Sequence, residues 1–191
     1  MSGRKLDCIV IVDVESTCWE SATPPGEDNE IIEIGVCLLD VTTGERQDRE
    51  SILVRPERSK ISAFCTQLTT LTQVQVDQGI SFAEACDLLK KKYKSDNRQW
   101  ASYGDYDRQM FDSQCQKRGV PYPFGKSHLN IKSLLAITCG LSREIGMSQA
   151  LQHLGMPLEG THHRGGDDAW NIAAILSRII GAARHGGLPG R

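Results

Sequence analysis

The feature that most constrains this chain is a change of hydrophobic period near residue 55. Before it, apolar residues come in short Ile- and Val-rich runs over 6–14, 31–41 and 45–54, with Thr43-Gly44 marking a tight turn between the last two. Runs of this length and composition read as β-strands, and short turns between consecutive strands make an antiparallel meander. Residues 16–30, with Pro24-Pro25-Gly26 and the acids Glu20, Glu27, Asp28 and Glu30, read as an exposed loop. Beyond the meander the spacing turns helical. Ser81 stands three residues before Glu84 as a capping box, and Phe82, Ala85, Cys86 and Leu89 follow on one face. The pattern then predicts a strand over 99–103, a helix over 107–117 stopped by Gly119, and a short strand over 128–131. Helices follow over 132–137 and 147–154, the second capped by Gly155, and a last one over 167–180 carries Ala169, Ile172, Ala173 and Leu176 on one face. No repeat is visible. The expected architecture is α/β: a mixed central sheet, three antiparallel strands plus parallel ones, flanked by helices in one domain over 1–180. A Gly-rich segment over 181–191 is expected to be a mobile tail.

With 191 residues, 39% of them hydrophobic and 24% charged, the chain can bury a core and is not a disordered segment. The longest early apolar run, Cys8 to Val12, is cut by Asp13, far short of the roughly 18 residues of a membrane helix. No secretory pattern is present, so no membrane partner and a cytoplasmic location are expected. Seven cysteines, odd in number and without a CxxC pair, fit a reducing compartment better than a disulfide framework or a cysteine zinc site.

The net charge of −2 conceals an uneven distribution. Residues 1–50 carry twelve acidic and four basic side chains, whereas residues 88–126 carry nine basic and four acidic ones. An acidic centre beside a basic rim would suit an enzyme that holds cations and grips phosphates, and two solvated faces of opposite sign would look the same.

Three segments carry carboxylates at the ends of elements. Asp13-Val14-Glu15 closes the first strand, and side chains two apart on a strand share a face, roughly 6–7 Å apart. Beside apolar residues two such charges repel and lose hydration unless a divalent cation joins them, and oxygen-only donors suit Mg²⁺ or Mn²⁺ rather than zinc. A plain solvated strand end is the other reading. Tyr103-Gly104-Asp105-Tyr106-Asp107 lies where a strand meets a helix, with Asp105 the expected helix cap and Asp107 left free. Thr161-His162-His163-Arg164-Gly165-Gly166-Asp167-Asp168 leads into the last helix. Paired histidines can bind zinc, but no neighbouring cysteine or spaced third ligand in the sequence completes such a site.

Together, Asp13, Glu15, Asp107 and Asp168, with His163 five residues before Asp168, have the order of the DEDDh exonucleases. The chain resembles the DnaQ-like 3′–5′ exonucleases on a ribonuclease H-like fold. Val12-Asp13-Val14-Glu15-Ser16-Thr17-Cys18, Glu30-Ile31-Ile32-Glu33, Phe64-Cys65, Leu68-Thr69-Thr70-Leu71-Thr72 and Asn130-Ile131-Lys132 narrow the resemblance. With His163 to Ala173 they point to the Eri-type branch, relatives of the histone-mRNA 3′ exonuclease, as a single-domain bacterial-type member. The likeness runs from about residue 6 to 180. Two departures stand out: Tyr106 replaces the family's frequent Trp, and His162 duplicates the histidine without the five-residue offset.

The resemblance implies a two-metal phosphodiesterase using Mg²⁺, with Mn²⁺ able to substitute. Asp13 would bridge both ions, Glu15 and Asp168 would complete one site, and Asp107 would hold the other. His163 would act as general base, free to swing because it sits in a Gly165-Gly166 loop. Ser16, Phe64, Leu68 and Tyr106 would receive the terminal nucleotide. The implied partner is a nucleic-acid 3′ end, RNA ahead of DNA. A DNA proofreading or trimming nuclease and a catalytically silent nucleic-acid-binding module are the alternatives, the second opposed by the completeness of the carboxylate set.

Overall fold

The computed structural model describes residues 5–186. Its element order is β1 Lys5–Ser16, β2 Ile31–Asp40, β3 Arg46–Leu53, α1 Ala63–Thr69, α2 Gln73–Asp77, α3 Phe82–Tyr93 and β4 Arg98–Ser102. There follow α4 Tyr106–Arg118, β5 His128–Asn130, α5 Ile131–Thr138, α6 Met147–His153 and α7 Gly165–His185. The five strands form one sheet in the order β3-β2-β1-β4-β5. β1 pairs antiparallel with β2 and parallel with β4, β2 pairs antiparallel with β3, and β4 pairs parallel with β5. The expected meander plus parallel strands is the observed sheet, a ribonuclease H-like arrangement.

β1 is central because its residues are apolar on both faces, as a strand covered on two sides requires. Val10, Val12 and Val14 join Phe82, Leu89 and Tyr93 of α3 and Phe111 of α4 in one core. Ile9 and Ile11 face the other way, onto Ile131 and Leu135 of α5, Leu151 of α6 and Ile172, Ile175 and Leu176 of α7. The two-residue alternation therefore assigns Asp13 and Glu15 to the α7 side.

One expectation is corrected here, and the structure adds two features to the others. α7 begins at Gly165 and continues to His185, so the first part of the expected tail is helix; the rest of that expectation lies outside the described residues. The helices α1 and α2 were not anticipated: at 7 and 5 residues they have no apolar stripe to read, and their ends are defined by the caps Ser62 and Thr72. The basic segment is not a free rim. Lys92, Arg98, Lys117 and Arg118 pair with Glu50, Asp7, Asp28 and Glu30, so the two charged stretches partly neutralise each other across the fold. Among the described residues, no helix is long and apolar enough to cross a membrane.

Candidate active site

The sheet order places the ends of the parallel neighbours β1 and β4 side by side, the usual place for a site in an open α/β sheet. A cleft of about 310 Å³ opens there, lined by Asp13, Glu15, Ser16, Leu68, Tyr106, Asp107, His162, His163 and Asp168 among others. A larger groove of about 660 Å³ between Gly44 and the C-terminal half of α7 has no carboxylate in its lining.

The four carboxylates arrive from three elements. Asp13 and Glu15 share one face of β1. Asp107 enters from the first turn of α4, and its Oδ1 accepts the Val14 N–H at 2.9 Å, which locks that helix end to β1. Asp168 enters from the first turn of α7 and accepts the His163 N–H at 2.9 Å. Glu15, Asp107 and Asp168 are nearly sealed from solvent, at 8%, 4% and 4% exposure. Oxygen atoms of Asp13, Glu15 and Asp168 all lie within 4.8 Å of one another.

Acids so placed cannot all be ionised unaided. Burial, and then the charges of Asp107, Glu15, Asp168 and Glu33, hold the Asp13 carboxyl well above the usual carboxylate range. Burial, then Asp168, Glu33 and Asp107, lift Glu15 to about 8. Burial lifts Asp107 to about 6 despite the Val14 N–H. Crowded, poorly hydrated oxygens without compensating cations fit a divalent ion that takes oxygen donors, as Mg²⁺ and Mn²⁺ do.

The histidine loop departs from expectation. Gly165 and Gly166 are the first two residues of α7 and both are buried, so they give the loop no freedom to swing. They are glycines because the helix start presses on the sheet: a Cβ on Gly35 of β2 would overlap the Gly165 carbonyl, and one on Gly166 would meet Ser51 of β3. The loop is pinned further by Glu33, a β2 residue with no exposure. Its carboxylate accepts from the Gly165 N–H at 2.7 Å and from Arg164 Nη2 at 2.9 Å. Glu33 and Arg164 are 131 residues apart, so spacing alone could not pair them. Within the loop, His163 takes a left-handed torsion, φ 64°, and its ring stacks beside that of His162. Burial, then the neighbouring His162, lowers the His163 pKa, and Asp168 opposes them. His162, not His163, directs its ring at Asp168, with Nδ1 at 3.0 and 3.2 Å from the two carboxylate oxygens.

Asp105 holds the N-cap position of α4 but makes no capping bond; its carboxylate takes Arg108 and Asn130 instead. Among the residues expected to meet a nucleotide, Ser16, Leu68 and Tyr106 line the cleft, and the Ser16 and Tyr106 hydroxyls lie 2.6 Å apart. Phe64, one turn before Leu68 on α1, is outside the lining residues and 36% exposed. Tyr103, the first residue of the segment that carries Asp107, and Met147 also line the cleft, and only the position of Met147 carries no sign of it in the sequence.

The Exonuclease (RNase_T) family profile matches residues 10–176. The chain belongs to this exonuclease family. Within it, the chain is 35% identical over 184 residues to 3'-5' exoribonuclease 1 of Homo sapiens, covering 91% of this chain and 52% of that protein. It is 27% identical over 194 residues to the 3'-5' exonuclease Snipper of Drosophila melanogaster, covering 90% and 69%. The solved nuclease domain of 3'hExo, a DEDDh family member bound to rAMP, superposes with a TM-score of 0.83 at 33% identity, covering 94% of each chain. The chain spans about half the length of the 3'-5' exoribonuclease 1 proteins it matches.

Proposed function

We propose that the chain is a metal-dependent 3′–5′ exonuclease that releases nucleoside 5′-monophosphates from RNA 3′ ends. The observation that carries this is the convergence of Asp13, Glu15, Asp107 and Asp168, from three separate elements, in one cleft with His163 at its edge. These four carboxylates would hold Mg²⁺, replaceable by Mn²⁺, with Asp13, Glu15 and Asp168 as one group of oxygen donors and Asp107 as a further donor. When bound, such ions supply an activated water and stabilise charge at phosphorus. His163 accepts the proton of the attacking water as its oxygen bonds to phosphorus. The phosphorus–O3′ bond breaks, and the departing 3′ oxygen takes a proton from solvent. A neutral imidazole is the form this needs, and its lowered pKa keeps it neutral at working pH.

Ser16 and Tyr106 position the terminal sugar, while Leu68 and Phe64 on α1 receive the base. Stacking and apolar contact of this kind tolerate any base, in keeping with trimming rather than sequence reading. RNA is favoured because the relatives are named exoribonucleases and one solved relative is described as recognising the 3'-end of a histone mRNA stem-loop. The test is a time course on 5′-labelled single-stranded RNA and matched DNA with Mg²⁺, Mn²⁺ or chelator. A ladder shortening from the 3′ end only with metal supports the proposal. Faster loss of DNA than RNA points to the trimming nuclease, and binding without digestion to the silent module.

A further inference from the structure

His162 has no task in the reaction above, yet the fold brings it to the edge of the cleft in a specific pose. Consecutive side chains ordinarily diverge, but the left-handed torsion of His163 folds the two imidazoles onto each other, ring centroids 4.0 Å apart and 16° from parallel. Asp168, five residues after His163 and in the first turn of α7, stands against the same pair. One ring nitrogen of each histidine and one Asp168 oxygen all lie within 4.8 Å of one another. The fold thus brings Asp168 to the histidine pair as a third donor.

We propose that His162, His163 and Asp168 form a site for a borderline transition cation, Zn²⁺, and that its occupation silences the enzyme. The donor set carries the choice of ion. Two imidazoles and one carboxylate select zinc over magnesium, whereas the neighbouring Asp13, Glu15 and Asp107 offer oxygen alone. Zinc ligands at about 2.0–2.1 Å stand about 3.3–3.4 Å apart in a tetrahedron, so side-chain rotations close the site around the ion. The His162 side chain is 37% exposed, which leaves an ion a route from solvent. Because Asp168 belongs to both donor sets and His163 is the base, zinc here removes one carboxylate from the magnesium site and the proton acceptor from the water. The binding half of the proposal stands on the three side chains alone; the inhibitory half rests on the exonuclease reading.

The experiment is a Co²⁺ titration of the full chain in excess Mg²⁺, followed by visible absorption and then by displacement with Zn²⁺. The expected result is one four-coordinate Co²⁺ site, bleached by stoichiometric Zn²⁺, whose affinity falls more than about tenfold in His162→Gln. A thermal melt confirms that the variant is folded. Identical Co²⁺ spectra and Zn²⁺ affinity in the two proteins would overturn the site, placing the ion among the carboxylates. In parallel, Zn²⁺ at fixed Mg²⁺ is expected to inhibit RNA digestion by the wild-type chain, with His162→Gln needing more than about tenfold more ion. Equal inhibition of both would overturn the regulatory role. Should the chain digest no RNA at all, the spectroscopic arm still decides the site, so the two failures are told apart.

Discussion

Glu15 and Glu30 are both buried glutamates at the ends of neighbouring strands, and their surroundings put them in opposite states. Glu30 is 2% exposed and accepts three backbone N–H groups, from Glu57, Arg58 and Ser59, as well as the Arg118 guanidinium. Burial raises its pKa, but those donors outweigh it and the net shift is downward. Glu15 is 8% exposed and faces Asp168, Glu33 and Asp107, so the same burial is reinforced and it rises to about 8. The difference teaches that burial alone does not make a functional carboxylate. A satisfied acid is a structural clamp; one surrounded by other acids requires a cation.

That contrast can be broken by substitution. The largest effect is expected from Asp13→Ala or Asp168→Ala, which should abolish turnover and the Mg²⁺-induced rise in melting temperature while the far-ultraviolet circular dichroism stays unchanged; near-normal rates in either variant would refute the metal assignment. His163→Ala should lower the single-turnover rate by about 10²–10⁴-fold, and His162→Ala far less. The reverse order would exchange the roles of the two rings. On the clamp side, Glu30→Ala strands three backbone donors and leaves Arg118 only Glu57 of its two carboxylate partners, and should cost about 3–5 kcal/mol in denaturant unfolding. The surviving folded fraction should keep its Mg²⁺ dependence, because Glu30 does not face the cleft; a lost metal response would merge the two regions.

Gly35→Ala tests the seat of α7. A methyl group there overlaps the Gly165 carbonyl and should destabilise by about 1–3 kcal/mol or more, with turnover falling as His163 and Asp168 move. A variant as stable and active as wild type would show that the helix start can shift freely. The last prediction concerns pH. Above about pH 4.5 the unfolded carboxyls have released their protons, while native Glu15, at about 8, and Asp107, at about 6, still hold theirs. The stability they contribute is full below the unfolded values and is lost as pH rises through 6 and then 8. Melting temperature in chelator should therefore fall between about pH 5 and 9, and saturating Mg²⁺ should flatten the slope. A metal-free profile that rises over this range would contradict the shifts.

Much of this was legible in the residues. The Ile- and Val-rich run over 6–14 marks a buried strand, and the two-residue period of any strand puts Asp13 and Glu15 on one face, because pleating is a local property of the backbone. The capping box at Ser81 and Glu84 is observed as expected, as are Gly119 and Gly155 with left-handed torsions after their helices. The five-residue offset from His163 to Asp168 survives in the fold as the His163 N–H bond to that carboxylate. The order of the four acids along the chain also pointed correctly to the exonuclease family.

Other features were decided only by packing. Gly165-Gly166 looks like a hinge in the sequence and is a tight helix seat in the structure, because only the approach of β2 and β3 distinguishes a flexible glycine from a crowded one. The charged stretches look like separate faces until folding pairs Lys117 with Asp28 and Arg118 with Glu30. Glu33 and Arg164 meet across 131 residues, and the His162 ring turns onto the Asp168 carboxylate with His163 stacked beside it. Local spacing determines which elements form and which face each side chain takes. Which distant groups share a site, and whether a buried acid is satisfied or left wanting a cation, depends on contacts that exist only once the sheet and its helices have packed.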